Sequence, residues 1–317
     1  GHINETGCGH YRVIQPYRSL EQQLRAEGGL IHGLPAAIDA AGVSPDIVLL
    51  QMPFDPQIEQ RITHLKQYCS PKIIMEYDDY FINPPLKNHH RGKLPKNIVS
   101  QLRRTVSLAD RLVVSTPALA EAYAGLHPDI RVALNRLDPE LWGGLPATRR
   151  RGKKPRVGWA GGNSHTGDLE ILQPLICELA DEVDWVFMGM KPQSARCEFH
   201  PGVPFEWYPQ KLASLQLDLA LVPLEINLFN ECKSNLRLLE LGACGIPVIC
   251  SDIEPYRGSL PVTRVKNHFR HWMKAIHEHL SDPQLLAARG DALQQAVRRD
   301  WLLTPQSLTE WQQAWLG

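Results

Sequence analysis

A chain of 317 residues exceeds one typical domain, and two units of about 150 residues each are expected. With 43% hydrophobic and 21% charged residues it has the composition of a folded globular protein, which argues against a disordered or membrane-embedded chain. Its 34 basic residues balance 34 acidic ones, so no whole-molecule field draws it to nucleic acid or to an acidic membrane.

Reading in chain order, "GHINETGCGHYR" enters a glycine-bearing loop with no apolar first strand ahead of it. Gly1-His2 reads as an artificial junction, or as a start with upstream residues missing. Short apolar runs at 46–53, 72–79 and 111–116 read as buried strands, with 131–136 a weaker fourth. Helical spacing lies between them: Ile98, Leu102, Val106 and Leu108 share a face, and Thr116-Pro117 caps and starts a helix. Strands alternating with helices imply a parallel sheet covered on both faces. After "GGLPATRRRGKKP" (143–155) the pattern restarts, with strands at 156–161, 183–190, 217–224 and 246–251 and helices at 231–243 and around 267–280. The tail from Pro305, with Trp311 and Trp315 four apart, reads as a closing amphipathic helix packed into the core. The expected division is 1–148, 149–300 and the closing helix in 301–317.

Basic residues cluster at Arg149–Lys154, read as a solvated linker, and from Lys87 to Lys93 with His89 and His90. Seven cysteines without CxxC pairs fit a reducing compartment. No run reaches the ~18 apolar residues of a membrane span, and no secretory leader opens the chain. The expectation is a cytoplasmic protein without a transmembrane segment, peripheral attachment at the inner face of a membrane being left open.

Three loops of the second half fall at strand ends, where open α/β sheets collect ligands. In "WAGGNSHTGDLE" a strand ends at Ala160, Gly161 and Gly162 let the backbone turn, and a helix begins near Asp168. Free N–H groups in Gly161, Gly162, Asn163, Ser164 and His165 suit an anion, most simply phosphate, and His165 either donates to it or caps the turn. The loop matches neither GxGxxG nor the P-loop pattern. In "EWYPQ" (206–210) Tyr208 and Pro209 can form a rim for a flat base. In "FNECKSNLRLLELGACGIPVICSD" (229–252) Lys233 and Ser234 are expected in the first turn of a helix, with Arg237 and Glu240 at i+4 and i+7 from Lys233. A cation and, two turns on, a carboxylate fit a phosphorylated sugar ligand; the plain alternative is a solvated salt-bridged face.

This last stretch, followed by "EPY", resembles the donor-site segment of group 1 glycosyltransferases, the retaining clan that includes glycogen synthase. "VGWAGGNSHTGDL" is similar to the glycine loop of their C-terminal domain, and "SLADRLVVSTPALAEAY" and "LNRLDPELW" to the last unit and crossover of the N-terminal one. "GCGHYRVIQPYRSL" and "EYDDYF" resemble a subgroup found in bacterial surface-polysaccharide loci, repeat-containing glycosyltransferases and phages. The resemblance implies an α/β protein of GT-B fold: two Rossmann-like domains facing across a cleft, acceptor side first and donor side second, with a C-terminal closing helix. It implies that Glu240, as the second glutamate of a Glu-x7-Glu element, binds the nucleotide ribose, and that Lys233 and Ser234 hold the diphosphate with the Gly161–His165 loop. Asn230 and Arg237 belong to the same donor segment. The first glutamate would fall at Cys232, with Glu231 one position away. Gly7, Gly9 and Arg12 would form a loop facing the donor, Arg12 touching phosphate or acceptor.

Asp78-Asp79 at a strand end could bind a divalent metal, as the DxD element does in GT-A enzymes, could form the acceptor-side catalytic wall, or could cap a helix. The two-half organisation favours the wall, with Asp78, Asp79, His165 and Lys233 as catalytic candidates. The implied reaction moves a sugar from a nucleotide-diphosphate donor to an acceptor hydroxyl with retention, without a cofactor or metal. Glycan, lipid-linked glycan or protein is the expected acceptor. A DNA acceptor, or a non-catalytic sugar-nucleotide-binding domain of a larger protein, is the alternative.

Overall fold

The computed structural model describes residues 7–31, 34, 44–53, 57–88, 91–148, 152, 154–162, 164–193 and 196–317. In the first half, β1 (Ile47–Gln51), β2 (Lys72–Tyr77), β3 (Arg111–Val114) and β4 (Ile130–Val132) form a parallel sheet in sequential order. Strand β2 is apolar on both faces, with Ile73, Ile74 and Met75 fully buried, as befits a parallel sheet covered by helices. Helices Ile58–Leu65 and Ile98–Val106 cover one side, Ile58, Ile62, Leu102 and Val106 facing the sheet at helical spacing. Each such large apolar side chain contributes roughly 1.5–3 kcal/mol by leaving water.

The second sheet has six parallel strands: β5 (Arg156–Ala160), β6 (Asp184–Met188), β7 (Glu198–His200), β8 (Leu219–Val222), β9 (Val248–Ser251) and β10 (Thr263–Val265). Their spatial order is β7-β6-β5-β8-β9-β10, the doubly wound order of dinucleotide-binding domains, with its reversal between β5 and β8. The strands read from apolar runs are all present. Two were missed, β7 and β10, because each has three residues and no fully buried side chain. Helix Pro283–Asp300 was missed too: its buried Leu286, Leu293 and Val297 are widely spaced and Gly290 interrupts them. That glycine is needed, because a Cβ there would run into the Gly245 carbonyl.

Three local expectations are corrected. The stretch around "GCGHYR" is a helix, not a loop: Gly7–Gly9 winds through a π-turn at His10–Ile14 into Gln15–Gln22. The helix expected over 231–243 is two, Leu228–Glu231 capped by the Asn227 side chain and Leu236–Ala243. "EWYPQ" is also helical, passing from a 3-10 turn at Phe205–Trp207 into Tyr208–Ser214.

The chain crosses between the halves twice, side by side: Leu137 N donates to Trp301 O (2.9 Å) and Leu303 N to Leu137 O (2.9 Å). Helix Ser307–Trp315 then returns to the first sheet, burying Leu308, Trp311 and Trp315 with Leu20, Ile74, Val113 and Ala133. Arg111 NH1 donates to the Gln313 and Ala314 carbonyls (3.2 and 3.0 Å), satisfying that helix's C-terminus.

Candidate active site

Chain connections leave β5 and β8 in opposite directions, which opens a crevice at their carboxyl ends. Asp168 ties its two walls together. Its Oδ1 accepts from Glu225 N (2.7 Å), on the loop after β8, and from Asn230 Nδ2 (3.1 Å); its Oδ2 lies 2.7 Å from His165 Nδ1. Gly161 N donates to Met188 O (3.0 Å), and a Cβ at Gly161 would run into Arg237 and Trp159. Ser164 lines a small cavity with Pro85, Lys87, Asn88, Asp168 and Phe229. Gly162 is exposed and Asn163 lies outside the described residues. Burial holds the His165 imidazole below its usual range; Asp168 opposes this, and Lys233 and Arg237 reinforce it.

Arg237 and Glu240 are neighbours on helix Leu236–Ala243, with Nε 3.6 Å from Oε2. The Arg237 guanidinium lies 5.4 Å from the Trp159 ring centroid, and its NH1 is buried with no hydrogen-bond partner. Lys233 and Ser234 precede this helix, so the two cations do not share one helical face as the spacing suggested. Lys233 sits over Phe229 (4.6 Å) and 3.5 Å from Asp79 Oδ1, while Ser234 Oγ accepts from Asn135 Nδ2 (2.8 Å). The contacts with Asp79 and Asn135 reach the first half, which holds the break between the two helices in place.

Glu240 is 5% exposed and meets both halves: Tyr11 Oη donates to Oε1 (2.9 Å) and Tyr208 Oη to Oε2 (3.1 Å). Burial raises its carboxyl above the usual range, against the lowering effect of Arg237 and the two hydroxyls. Trp207, beside Tyr208, is 67% exposed. Gly7 and Gly9 lie in the helix that carries Tyr11, and His10 stacks on Phe205 at 4.1 Å.

Arg12 is not in the crevice. It is 0% exposed, with Nε 2.6 Å from Glu76 Oε1, NH1 2.9 Å from Asn135 Oδ1 and the guanidinium 4.6 Å from the Trp311 ring. It is a buried tie within the first half, and the expected phosphate or acceptor contact is withdrawn. Asp78 and Asp79 leave β2 toward the second half without capping a helix; their carbonyls accept from Ser115 Oγ and Tyr123 Oη (both 2.9 Å). Asp78 Oδ1 is buried without a partner, and burial followed by the adjacent Asp79 pushes its carboxyl up to about 6. Cys232, where the resembling family has its first glutamate, is fully buried in the first half's core, and its carbonyl accepts from Thr116 Oγ1 (2.8 Å). Asn230 is likewise occupied, donating to Asp168 and to Glu225 O (3.0 Å).

The sequence reading missed Asp168 and Tyr11 as site residues. The His-x-x-Asp spacing, three apart at a helix start, was the available signal for the first; nothing local marks the second, whose partner is 229 residues away. Among the described residues no group of three His, Cys, Asp or Glu side chains is arranged to hold a metal ion, and no helix is long and apolar enough to cross a membrane.

No protein-family profile matches the chain, and no curated protein does. Solved structures do. It is similar to HepE of Anabaena in complex with UDP-glucose (TM-score 0.59, 12% identity, 94% of this chain and 87% of that one). It is also similar to a sucrose-phosphate synthase of Thermosynechococcus elongatus (TM-score 0.55, 15% identity, 80% and 70%). A third is an alpha-glucosyltransferase in complex with UDP and a DNA containing an HMU base (TM-score 0.57, 11% identity, 88% and 82%). With its two parallel sheets, the chain has the GT-B fold, two Rossmann-like domains facing across a cleft with a C-terminal helix returning to the first.

Proposed function

We propose that the protein is a glycosyltransferase that moves a sugar from a nucleotide-diphosphate donor to an acceptor hydroxyl, with retention of configuration and without a metal. The observation that carries this reading is the buried, unpartnered Arg237 NH1 lying against the bare backbone of Gly161, three residues from the buried Glu240 carboxylate. A guanidinium nitrogen without a partner is costly unless an anion completes it. In this reading Arg237 and Lys233 hold the diphosphate, and Glu240 accepts hydrogen bonds from the ribose hydroxyls, exchanging tyrosine partners for sugar ones. Fixed cations at the crevice stabilise the negative charge that develops as the nucleoside diphosphate leaves. Asp78 and Asp79 wall the acceptor side, and the departing phosphate oxygen takes the acceptor's proton. The UDP or UDP-glucose in the structural neighbours supports a uridine donor; the acceptor in this reading is a glycan, a lipid-linked glycan or a protein.

Calorimetry against UDP-, ADP-, GDP- and dTDP-sugars tests the reading. One donor should bind, and Glu240→Gln should weaken it ~10–100-fold by removing charge-assisted hydrogen bonds to the ribose. Binding by none would refute it; binding without transfer to any acceptor would leave a non-catalytic donor-binding domain. The neighbour holding DNA motivates a second reading with a DNA acceptor. Duplex affinity falling steeply with salt would favour it, and no duplex binding at low salt would remove it.

A further inference from the structure

His165 and Asp168 form a dyad that the reading above leaves without a task. Nδ1 of His165 is 2.7 Å from Asp168 Oδ2, and among the described residues Nε2 has no hydrogen-bond partner. A carboxylate accepts and cannot donate, so this contact places the ring proton on Nδ1 and leaves a lone pair on Nε2. Asp168 is itself fixed, because its other oxygen is held by Glu225 N and Asn230 Nδ2. The Trp159 indole is flanked by His165 (5.7 Å between ring centroids) and by Arg237 (5.4 Å), so imidazole and guanidinium border the same Gly161 turn. A neutral Nε2 beside a phosphate would set lone pair against lone pair.

Resting on the nucleotide-sugar reading, we propose that Asp168 holds His165 as the Nδ1–H tautomer, and that Nε2 takes up a proton from solvent as the donor's diphosphate binds. The proton then lies between Nε2 and a phosphate oxygen, and no bond of the donor breaks in this step. The imidazolium is held between two anions, Asp168 and the phosphate. Burial first, and the surrounding charges after it, explain why it waits for the ligand. Lys233 and Arg237 face the ring from the second half and disfavour its charge in the free protein, and Asp168 carries the opposing charge; Glu225 lies next to Asp168 and Glu170, and Glu240 pairs with Arg237. From the first half, Lys87 pairs with Glu170 and Asp79 with Lys233. A diphosphate offsets the two nearest cations and removes their opposition.

The sign follows. The imidazole's proton affinity is held down in the free protein by burial and by Lys233 and Arg237, and the proposal makes it higher in the complex. Donor affinity is therefore greatest at low pH, falls about tenfold per pH unit between the free and bound values, and is flat above the bound one. Titration calorimetry is run from about pH 5.5 to about pH 8.5 in buffers of different ionisation enthalpy. The probes are UDP-glucose, ADP-glucose, GDP-mannose and dTDP-glucose, whose phosphodiesters keep a constant charge across that range. The one that binds should take up as much as ~1 proton, and His165→Gln should abolish both the uptake and the pH slope. In Asp168→Asn the amide oxygen still accepts from Glu225 N while its NH2 donates to Nδ1, shifting the ring proton to Nε2. The 15N shifts of His165 should report the switch, and the uptake should vanish. Glu225→Gln should keep it. A donor that binds with no pH slope and no uptake overturns the inference and leaves the function standing. So does an Asp168→Asn variant that binds more weakly at every pH with its slope intact. Binding by none of the four withdraws the nucleotide-sugar reading and this inference with it.

Discussion

Glu240 shows what one buried carboxylate can do when both of its oxygens are already taken. Its partners come from opposite halves, Tyr11 from the first and Tyr208 from the second. Any ribose that uses this group competes with the tyrosines, so Tyr11→Phe should tighten donor binding several-fold, about 0.5–1.5 kcal/mol. An unchanged or weaker dissociation constant in calorimetry would mean that ribose does not claim that oxygen. Asp78 is a second case. Its carboxyl is raised to about 6 by burial and by Asp79, so between about pH 4 and pH 6 the folded chain holds a proton that the unfolded chain has lost. Stability from this group falls as pH rises through that window, and Asp78→Asn should gain in Tm over the unsubstituted protein as pH rises from about 4 to about 6. A Tm difference that stays constant with pH would contradict this. At this scale the sequence reveals residue types better than tasks. Lys233, Arg237, His165 and Glu240 drew notice from type and spacing, and the structure brings them to one crevice. Arg12 drew the same notice, yet its guanidinium is spent on Glu76 and Asn135, partners 64 and 123 residues away that no local pattern displays.

Among elements, the turn after β5 depends on a second one after β6. Gly189 has φ +80°, and a Cβ there would run into the Gly161 carbonyl. Gly189→Ala should lose roughly 2 kcal/mol in urea unfolding, and by pushing on the Gly161 turn should also weaken donor binding. A destabilised variant with unchanged affinity would show that the two turns are not coupled. Strands were legible because parallel sheets demand continuous apolar runs, as in Ile73–Met75 and Leu219–Val222. The edge strand Glu198–His200 was not, since an edge needs only partial burial. The π-turn at His10–Ile14 was also hidden: two glycines signal a loop by propensity, and packing of Tyr11 against Phe205 and Glu240 outweighs that preference.

Across the whole molecule, the closing helix joins ends of the chain that sequence distance keeps apart. Trp311 is fully buried in the first half and carries the Arg12 guanidinium on its face. Trp311→Ala should cost about 3–5 kcal/mol, and by hydrogen exchange the loss should fall on β2 and β3 rather than on β5 to β9. Equal acceleration in both sheets would show that the halves unfold as one unit.

The helix Ser307–Trp315 has a further consequence, in time rather than space. A ribosome makes the first half early, but that half's core wants Leu308, Trp311 and Trp315, which are made only after the whole second half. The second half can complete its own sheet while one face of the first stays uncovered, so the half made first is the last to be finished. Until residues 307–315 have been made, that waiting apolar face is open to aggregation, and a chaperone's protection would count there.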